Sequence, residues 1–278
     1  MTIKRTLSLA LIVSLAACNP EPSGEPVMRA QLESDGGVTV IASDDASNAP
    51  AEQIALPSDC SGVTFEGAAF THCIADPASH SITTAKAAVS GDDFGRIASY
   101  AAIAQPGTVA FATNAGMYGD DLNAIGYFVQ DSQRLKELNR ADGEGNFHMK
   151  PNGVFFGSDC NWRVLDTDTF FRTIGDRPQF GTQSGPMLVI NGELHPDFQE
   201  NGPSRAIRNG VGVDADGKAH FVISDEPVSF GVFARYFRDE LQTPNALYLD
   251  GNVSSLWNPA TGRMDTGRVG PLLVVEKK

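Results

Sequence analysis

Histidine, cysteine and basic side chains are scarce in this sequence, and each scarcity removes a class of function. Among 278 residues there are 5 histidines, 4 cysteines and 21 lysines and arginines, against 34 aspartates and glutamates. The net charge of -13 argues against a nucleic-acid or anionic-membrane binder, which needs a basic stripe. The histidines are scattered and no C-x-x-C pair occurs, so no histidine-rich metal centre or zinc ribbon is expected. No cofactor is implied. The G-x-S-x-G elbow, H-E-x-x-H, the P-loop and G-x-G-x-x-G are all missing, which excludes the commonest hydrolase, zinc-protease and nucleotide-binding signatures. Long apolar runs are missing too. The run at residues 7–17, broken by Ser8 and Ser14, falls short of the about 20 residues a spanning helix needs.

That short run follows Lys4 and Arg5 and ends in Leu15-Ala16-Ala17-Cys18. It reads as a secretory signal, residues 1–17. Small residues before a cysteine resemble the lipobox of bacterial lipoproteins. The resemblance implies cleavage before Cys18 and lipidation of its thiol; an ordinary signal with a chance cysteine is the alternative. Several acyl chains together anchor firmly, so membrane contact is expected only through the anchor. Asn19 in place of Asp points to the outer membrane. Residues 18–58 hold prolines at 20, 22, 26, 50 and 57, many acids and the single Arg29. Such a segment buries too little apolar surface to order itself, so it reads as a flexible tether. Residues 59–278 are long enough for one domain with a sizeable core.

Within that domain Cys60 and Cys73 flank a short segment. An exported location permits a hairpin-closing disulfide, worth about 3 kcal/mol. Cys160 is the odd cysteine and is expected to be a buried, inert thiol. Short strands are expected at 108–112, 124–129, 153–156, 186–190, 210–213, 220–223, 246–249 and 271–275, divided by Asn-Gly and Asp-Gly turns. Helical periodicity predicts helices over 92–104 and 229–242, the second capped by Ser229 and stopped by Pro244. Many strands and few helices, without regular alternation, predict an α+β domain with mixed or antiparallel sheets.

Polar clusters fall where strands end: 113–118 (Asn114, Gly116), 146–153 (His148, Lys150), 182–186 (Gln183, Ser184, Gly185), 205–210 (Arg208, Asn209) and 248–255 (Asp250, Gly251, Ser254). Rigid strands position loop residues for function, and glycine lets backbone approach a ligand. Any one cluster is also an ordinary turn. Five together, rich in Asn, Gln, Ser and Arg, point to a sugar-like polyol site.

The phrases TNAGMY (113–118), GNFHMKPNGVFF (145–156), TQSGPMLVINGELHP (182–196), RNGVGV (208–213) and ALYLDGNVSS (246–255) together resemble the phosphodiester glycosidase family, in its bacterial exported branch. The resemblance spans roughly Cys60 to the C-terminus. It departs from the animal enzymes after Asp250-Gly251, where Asn252 replaces a second glycine.

The resemblance implies hydrolysis of a glycosyl-1-phosphodiester or a related envelope glycan. The departing phosphate monoester is a stable anion, so the usual demand for an acid beside a base is relaxed. Asp250 is the candidate base, nucleophile or electrostatic stabiliser; its alternative is a turn acid. Arg208 is the candidate phosphate clamp; its alternative is a structural ion pair. Asn114 completes the catalytic set. Lys150 and His148 could serve as phosphate donor and acid, His148 and His195 equally as structural histidines. Gln183 and Ser184 would hold sugar hydroxyls, Gly116 and Gly185 would admit the ligand, and Asn209, Gly251 and Ser254 would complete the substrate site. Asp225 and Glu226 form a reserve carboxylate pair or a solvated turn. The contrasting reading is a non-catalytic, sugar-binding envelope lipoprotein.

Overall fold

The computed structural model describes residues 58–86, 95–251 and 253–278, and the backbone of a small ladder in which Gln31–Leu32 pairs with Val38–Thr39. The signal segment, Cys18, the rest of the tether and the expected caps Asp92 and Asp93 lie outside the described residues. The chain divides into two units, Met1–Gln53 and Ile54–Lys278.

Three large sheets and a two-stranded ladder, Arg205–Ala206 with Val228–Ser229, build the second unit among the described residues. The largest runs Glu193–Leu194, Met187–Ile190, Asn245–Asp250, Asn209–Val213, Ala219–Ser224, Ala68–Ala75, Cys60–Phe65. A second runs Asn161–Asp166, Gly153–Ser158, Phe180–Ser184, Phe128–Gln130, Gln133–Lys136. The third runs Arg263–Met264, Leu256–Asn258, Val109–Asn114, Leu272–Lys277, His80–Ala85. Every ladder among the described residues is antiparallel.

Side chains alternate across a strand, and here both faces of the central strands are buried. Leu247 and Leu249, Phe155, and Leu273 and Val275 turn into one core shared by all three sheets. Their neighbours turn outward beneath a short helix. Ala246 and Tyr248 meet Phe233 and Phe237. Leu272 and Val274 meet Ile97 of helix Ile97–Ala101. Val154 and Phe156 meet Phe170 of helix Thr167–Thr173. Two buried faces explain why these strands read as continuous apolar runs. Each fully buried Phe or Leu contributes about 1.5–3 kcal/mol.

The helices are smaller than the α+β expectation implies, and the domain is mostly β; its strand-rich, antiparallel part is observed. The helix expected at 229–242 is α-helical over Phe230–Arg235 and then opens into a π-helical turn, Tyr236–Glu240. Ser229 caps it, its hydroxyl accepting from the Val232 N–H at 3.2 Å. The Leu241 N–H reaches back five residues to the Tyr236 carbonyl at 3.1 Å, which widens the final turn. Helix Thr167–Thr173 was not expected, although Asp166 caps it by accepting from the Thr169 N–H at 2.9 Å.

Cys60 and Cys73 sit opposite one another in register and are disulfide-bonded. Cys160 corrects the expectation of a buried thiol. It lies in the turn joining Gly153–Ser158 to Asn161–Asp166, and it is exposed, 3.1 Å from the Lys278 ammonium.

On the largest sheet, His72 Nε2 lies 2.9 Å from His220 Nδ1, and His220 Nε2 lies 3.0 Å from the Asp214 carboxylate. Burial, reinforced by His220, lowers the His72 pKa to about 4. A histidine held neutral in the fold stabilises it above the unfolded pKa near 6.5, and that stability is lost as pH falls towards 4. Urea unfolding should show a loss of up to about 3 kcal/mol across that window. His72→Gln should flatten the slope; an unchanged slope in the variant would contradict the assignment.

Candidate active site

The candidate residues meet where strands of two sheets end. Asn114 closes Val109–Asn114, Asn209 opens Asn209–Val213, and Asp250 closes Asn245–Asp250. Asn209 faces Asp250 in register, yet the next residue, Gly210, faces Tyr248. The extra residue is a β-bulge, the distortion that bends a strand and re-aims its side chains.

One amide holds this junction. Asn209 Nδ2 donates to Asn114 Oδ1 at 2.9 Å and to Thr113 Oγ1 at 3.2 Å, while Asn209 Oδ1 accepts from the Asp250 N–H at 2.9 Å. Asn114 Oδ1 also accepts from the Ser255 N–H at 2.9 Å. The Ser254 hydroxyl donates to the carbonyls of Ile207 and Asp250, each at 3.0 Å. Both sides of the Asp250 loop are thereby tied to two sheets.

Asp250 is 7 % exposed, and its carboxylate accepts from the Gly251 N–H at 2.6 Å. It borders a cavity of about 280 Å³. Met117, Tyr118, Ile125 and Phe147 supply the apolar and aromatic lining, and Glu144, Asn146 and His148 the polar lining. Among the described residues no lysine or arginine lines it. The Tyr118 hydroxyl donates to the Arg268 carbonyl at 2.6 Å. Burial, together with the Asp250 charge, raises the Tyr118 pKa to about 12, so the phenol is neutral and a donor at neutral pH. Tyr118 and Asn146 fall within the polar clusters 113–118 and 146–153 but had no role assigned, and Glu144 was not singled out from the sequence. Glu144 stands between Gly143 and Gly145, whose φ is +83°, and a carboxylate between glycines was the signal available.

The family model for phosphodiester glycosidases matches residues 107–273. The chain belongs to that family. Its relative in Escherichia coli (strain K12), the uncharacterized protein YigE, is 36 % identical over 169 residues, covering 60 % of this chain and 66 % of YigE, just under two thirds of that protein. Among solved structures, the catalytic domain of zebrafish N-acetylglucosamine-1-phosphodiester alpha-N-acetylglucosaminidase, auto-inhibited by its pro-peptide, superposes with a TM-score of 0.50. At 12 % identity over 90 % of this chain and 82 % of that one, the likeness is one of fold.

In this chain the remaining candidates stand behind or beside the cavity. Arg208 is 1 % exposed. Its guanidinium donates to the Val228 carbonyl at 2.9 Å, the Ser204 carbonyl at 2.9 Å and the Tyr248 hydroxyl at 3.3 Å, and lies 3.6 Å over the Phe230 ring. Burial lowers its pKa from the ordinary guanidinium value. It is neither an open clamp nor an ion pair: it reaches the Asp250 loop through Tyr248.

Gln183 is also 1 % exposed, and its amide is fully engaged. Its oxygen accepts from the Tyr127 and Asn139 N–H groups, each at 2.9 Å, and its nitrogen donates to the Asn139 carbonyl at 2.7 Å and Thr167 Oγ1 at 3.1 Å. The Ser184 hydroxyl donates to the Leu249 carbonyl at 2.6 Å. Both brace backbone where sugar contacts were expected. Gly116 and Gly185 likewise admit protein: a Cβ would fall 2.2 Å from the Gln183 carbonyl oxygen at Gly116 and 2.7 Å from the Phe147 carbonyl oxygen at Gly185. His148 borders the cavity, its Nδ1 3.2 Å from the Ala141 carbonyl. Lys150 points to a neighbouring cavity and bonds Asp142. His195 is buried with Nδ1 accepting from the Asp197 N–H at 3.2 Å. Asp225 pairs with Arg263, and Glu226 accepts from the Ala69 N–H.

A Cβ on Gly251 would fall 1.6 Å from the Tyr248 hydroxyl, so this loop has no room for alanine. Gly251→Ala should cost about 1–3 kcal/mol as overpacking. Adding Tyr248→Phe should recover part of that loss. A double-mutant cycle by urea unfolding should therefore show coupling between the two sites; strict additivity would contradict this packing.

Proposed function

We propose that this chain hydrolyses a glycosyl-1-phosphodiester, or a related glycan of the cell envelope, at the Asp250 cavity. The observation that carries the reading is a nearly buried carboxylate, fixed by the bulge and the Asn209 amide, bordering a sugar-sized cavity in a member of the phosphodiester glycosidase family. Aromatic and amide side chains on its lining suit a polyol, whose ring offers apolar faces between its hydroxyls.

In the proposed reaction water adds to the anomeric carbon, the bond from that carbon to the phosphate oxygen breaks, and the bonding electrons leave with the phosphate. The products are a reducing sugar and a phosphate monoester. The departing group is already a stable anion, so protein assistance is needed mainly at the anomeric centre. There Asp250 either takes the water proton, attacks the carbon, or stabilises developing positive charge. Asn209, Asn114 and Ser254 position it. Lipidation at Cys18, with residues 18–58 as a tether and an outer-membrane address, completes the proposal by placing the enzyme beside envelope substrates.

Sugar release from a panel of UDP-sugars and glycosyl-1-phosphodiesters tests the reading. The wild type should turn over at least one compound, and Asp250→Asn should lower kcat/KM on the order of 10³-fold with unchanged urea unfolding. Saturable sugar binding without turnover would instead make it a non-catalytic binder.

A further inference from the structure

Hydrolysis in the Asp250 cavity needs a group that takes a proton from the attacking water. Such a base must be accessible, carry a free lone pair and be held where the water sits. Besides Asp250, the polar side chains on the lining are Tyr118, Glu144, Asn146 and His148. Asn146 is an amide and accepts no proton at neutral pH. Tyr118 keeps its own proton, because burial and the Asp250 charge push its pKa up to about 12. Glu144 is exposed, and among the described residues its side chain makes no hydrogen bond or ion pair, so nothing holds it in place.

His148 is half-buried and held on several sides. Its Nδ1 lies 3.2 Å from the Ala141 carbonyl. A carbonyl only accepts, so in the neutral ring Nδ1 carries the proton and Nε2 the lone pair. The Phe147 ring meets the imidazole edge to face, with centroids 5.0 Å apart and planes at 76°. Gly143 lies against the same ring: a Cβ there would fall 2.7 Å from His148 Cδ2 and 2.8 Å from Nε2. Glycine at 143 therefore leaves Nε2 uncovered, and among the described residues nothing hydrogen-bonds it. The cavity is bordered by His148 and not by Ala141, so Nε2 is the nitrogen available to a bound water.

We propose that His148 is the general base of the Asp250 cavity. Its Nε2 takes a proton from water as the water oxygen bonds to the anomeric carbon. The bond from that carbon to the phosphate oxygen breaks, its electron pair leaves with the phosphate, and the imidazolium passes the proton to solvent. Asp250, relieved of proton transfer, stabilises the positive charge that develops at the anomeric centre. The acid role expected of His148 from the sequence is thereby reversed. This deepens the glycosidase reading and rests on it.

Kinetics on a glycosyl-1-phosphodiester that the wild type hydrolyses test the assignment. His148→Ala should lower kcat/KM about 10²–10⁴-fold, mainly through kcat and with unchanged urea unfolding. Added imidazole should restore part of that rate. Across a series of substituted imidazoles the restored rate should rise with their basicity; a rate that falls with basicity would mark an acid and overturn the proposal. Gly143→Ala displaces the ring and should lower kcat/KM by itself, yet add no further loss in the His148→Ala background. Without any substrate, long-range 1H–15N correlation spectra should show neutral His148 protonated at Nδ1; protonation at Nε2 would contradict the assignment. Wild-type rates in His148→Ala, or a loss that no imidazole restores, would overturn it while leaving the Asp250 reading intact. No turnover of any glycosyl-1-phosphodiester by the wild type would remove that reading and this assignment with it.

Discussion

The site depends on one buried amide. Asn209 accepts the Asp250 N–H and donates to the Asn114 side chain, joining the end of one sheet to the end of another. A buried amide left without partners costs about 1–3 kcal/mol, so the two sheets, the bulge and the Asp250 loop are held to one arrangement. The carboxylate is therefore presented by rigid strands, although it lies at the start of a loop. Pre-positioning of this kind is what glycoside chemistry requires, because the reacting atoms must already be close and aligned.

Behind the same loop lies a buried charge. Arg208 is surrounded by carbonyls, the Tyr248 hydroxyl and the faces of Phe230 and Tyr248, and no carboxylate lies within ion-pair range of it among the described residues. Desolvating a guanidinium is costly, and the hydrogen bonds and the aromatic faces offset that cost. The arrangement links helix Phe230–Arg235, Ser204 and the strand bearing Asp250 into one support.

Much of this was legible in the sequence, because clusters at strand ends are local patterns. The strands expected at 108–112, 210–213 and 246–249, each found one or two residues longer at the site end, the Ser229 cap and the Cys60–Cys73 hairpin all follow from alternation, capping and turn chemistry. That Asn114, Asn209 and Asp250 belong together was suggested by the family phrases, and the structure joins them by hydrogen bonds. The direction each polar group faces was not legible. Gln183 and Ser184 look like ligand contacts in one dimension, and only the neighbouring backbone shows that their hydrogen bonds are already taken. Gly116 and Gly185 signal a close approach, but the sequence does not say whether a ligand or another strand approaches. Cys160 reads as a buried thiol until the hairpin places it in an exposed turn. Glu144 has no local pattern beyond its flanking glycines, and its place in the site comes from a cavity that it shares with Asp250, more than a hundred positions away.

The central claim is that the bond broken lies against Asp250. A crystal structure of Asp250→Asn with a glycosyl-1-phosphodiester that the wild type hydrolyses tests it directly. The account predicts the anomeric carbon about 3–3.5 Å from the residue 250 side chain or from a water it holds, with the sugar in the cavity bordered by Tyr118 and Phe147. A substrate bound with its anomeric carbon remote from residue 250 would contradict it.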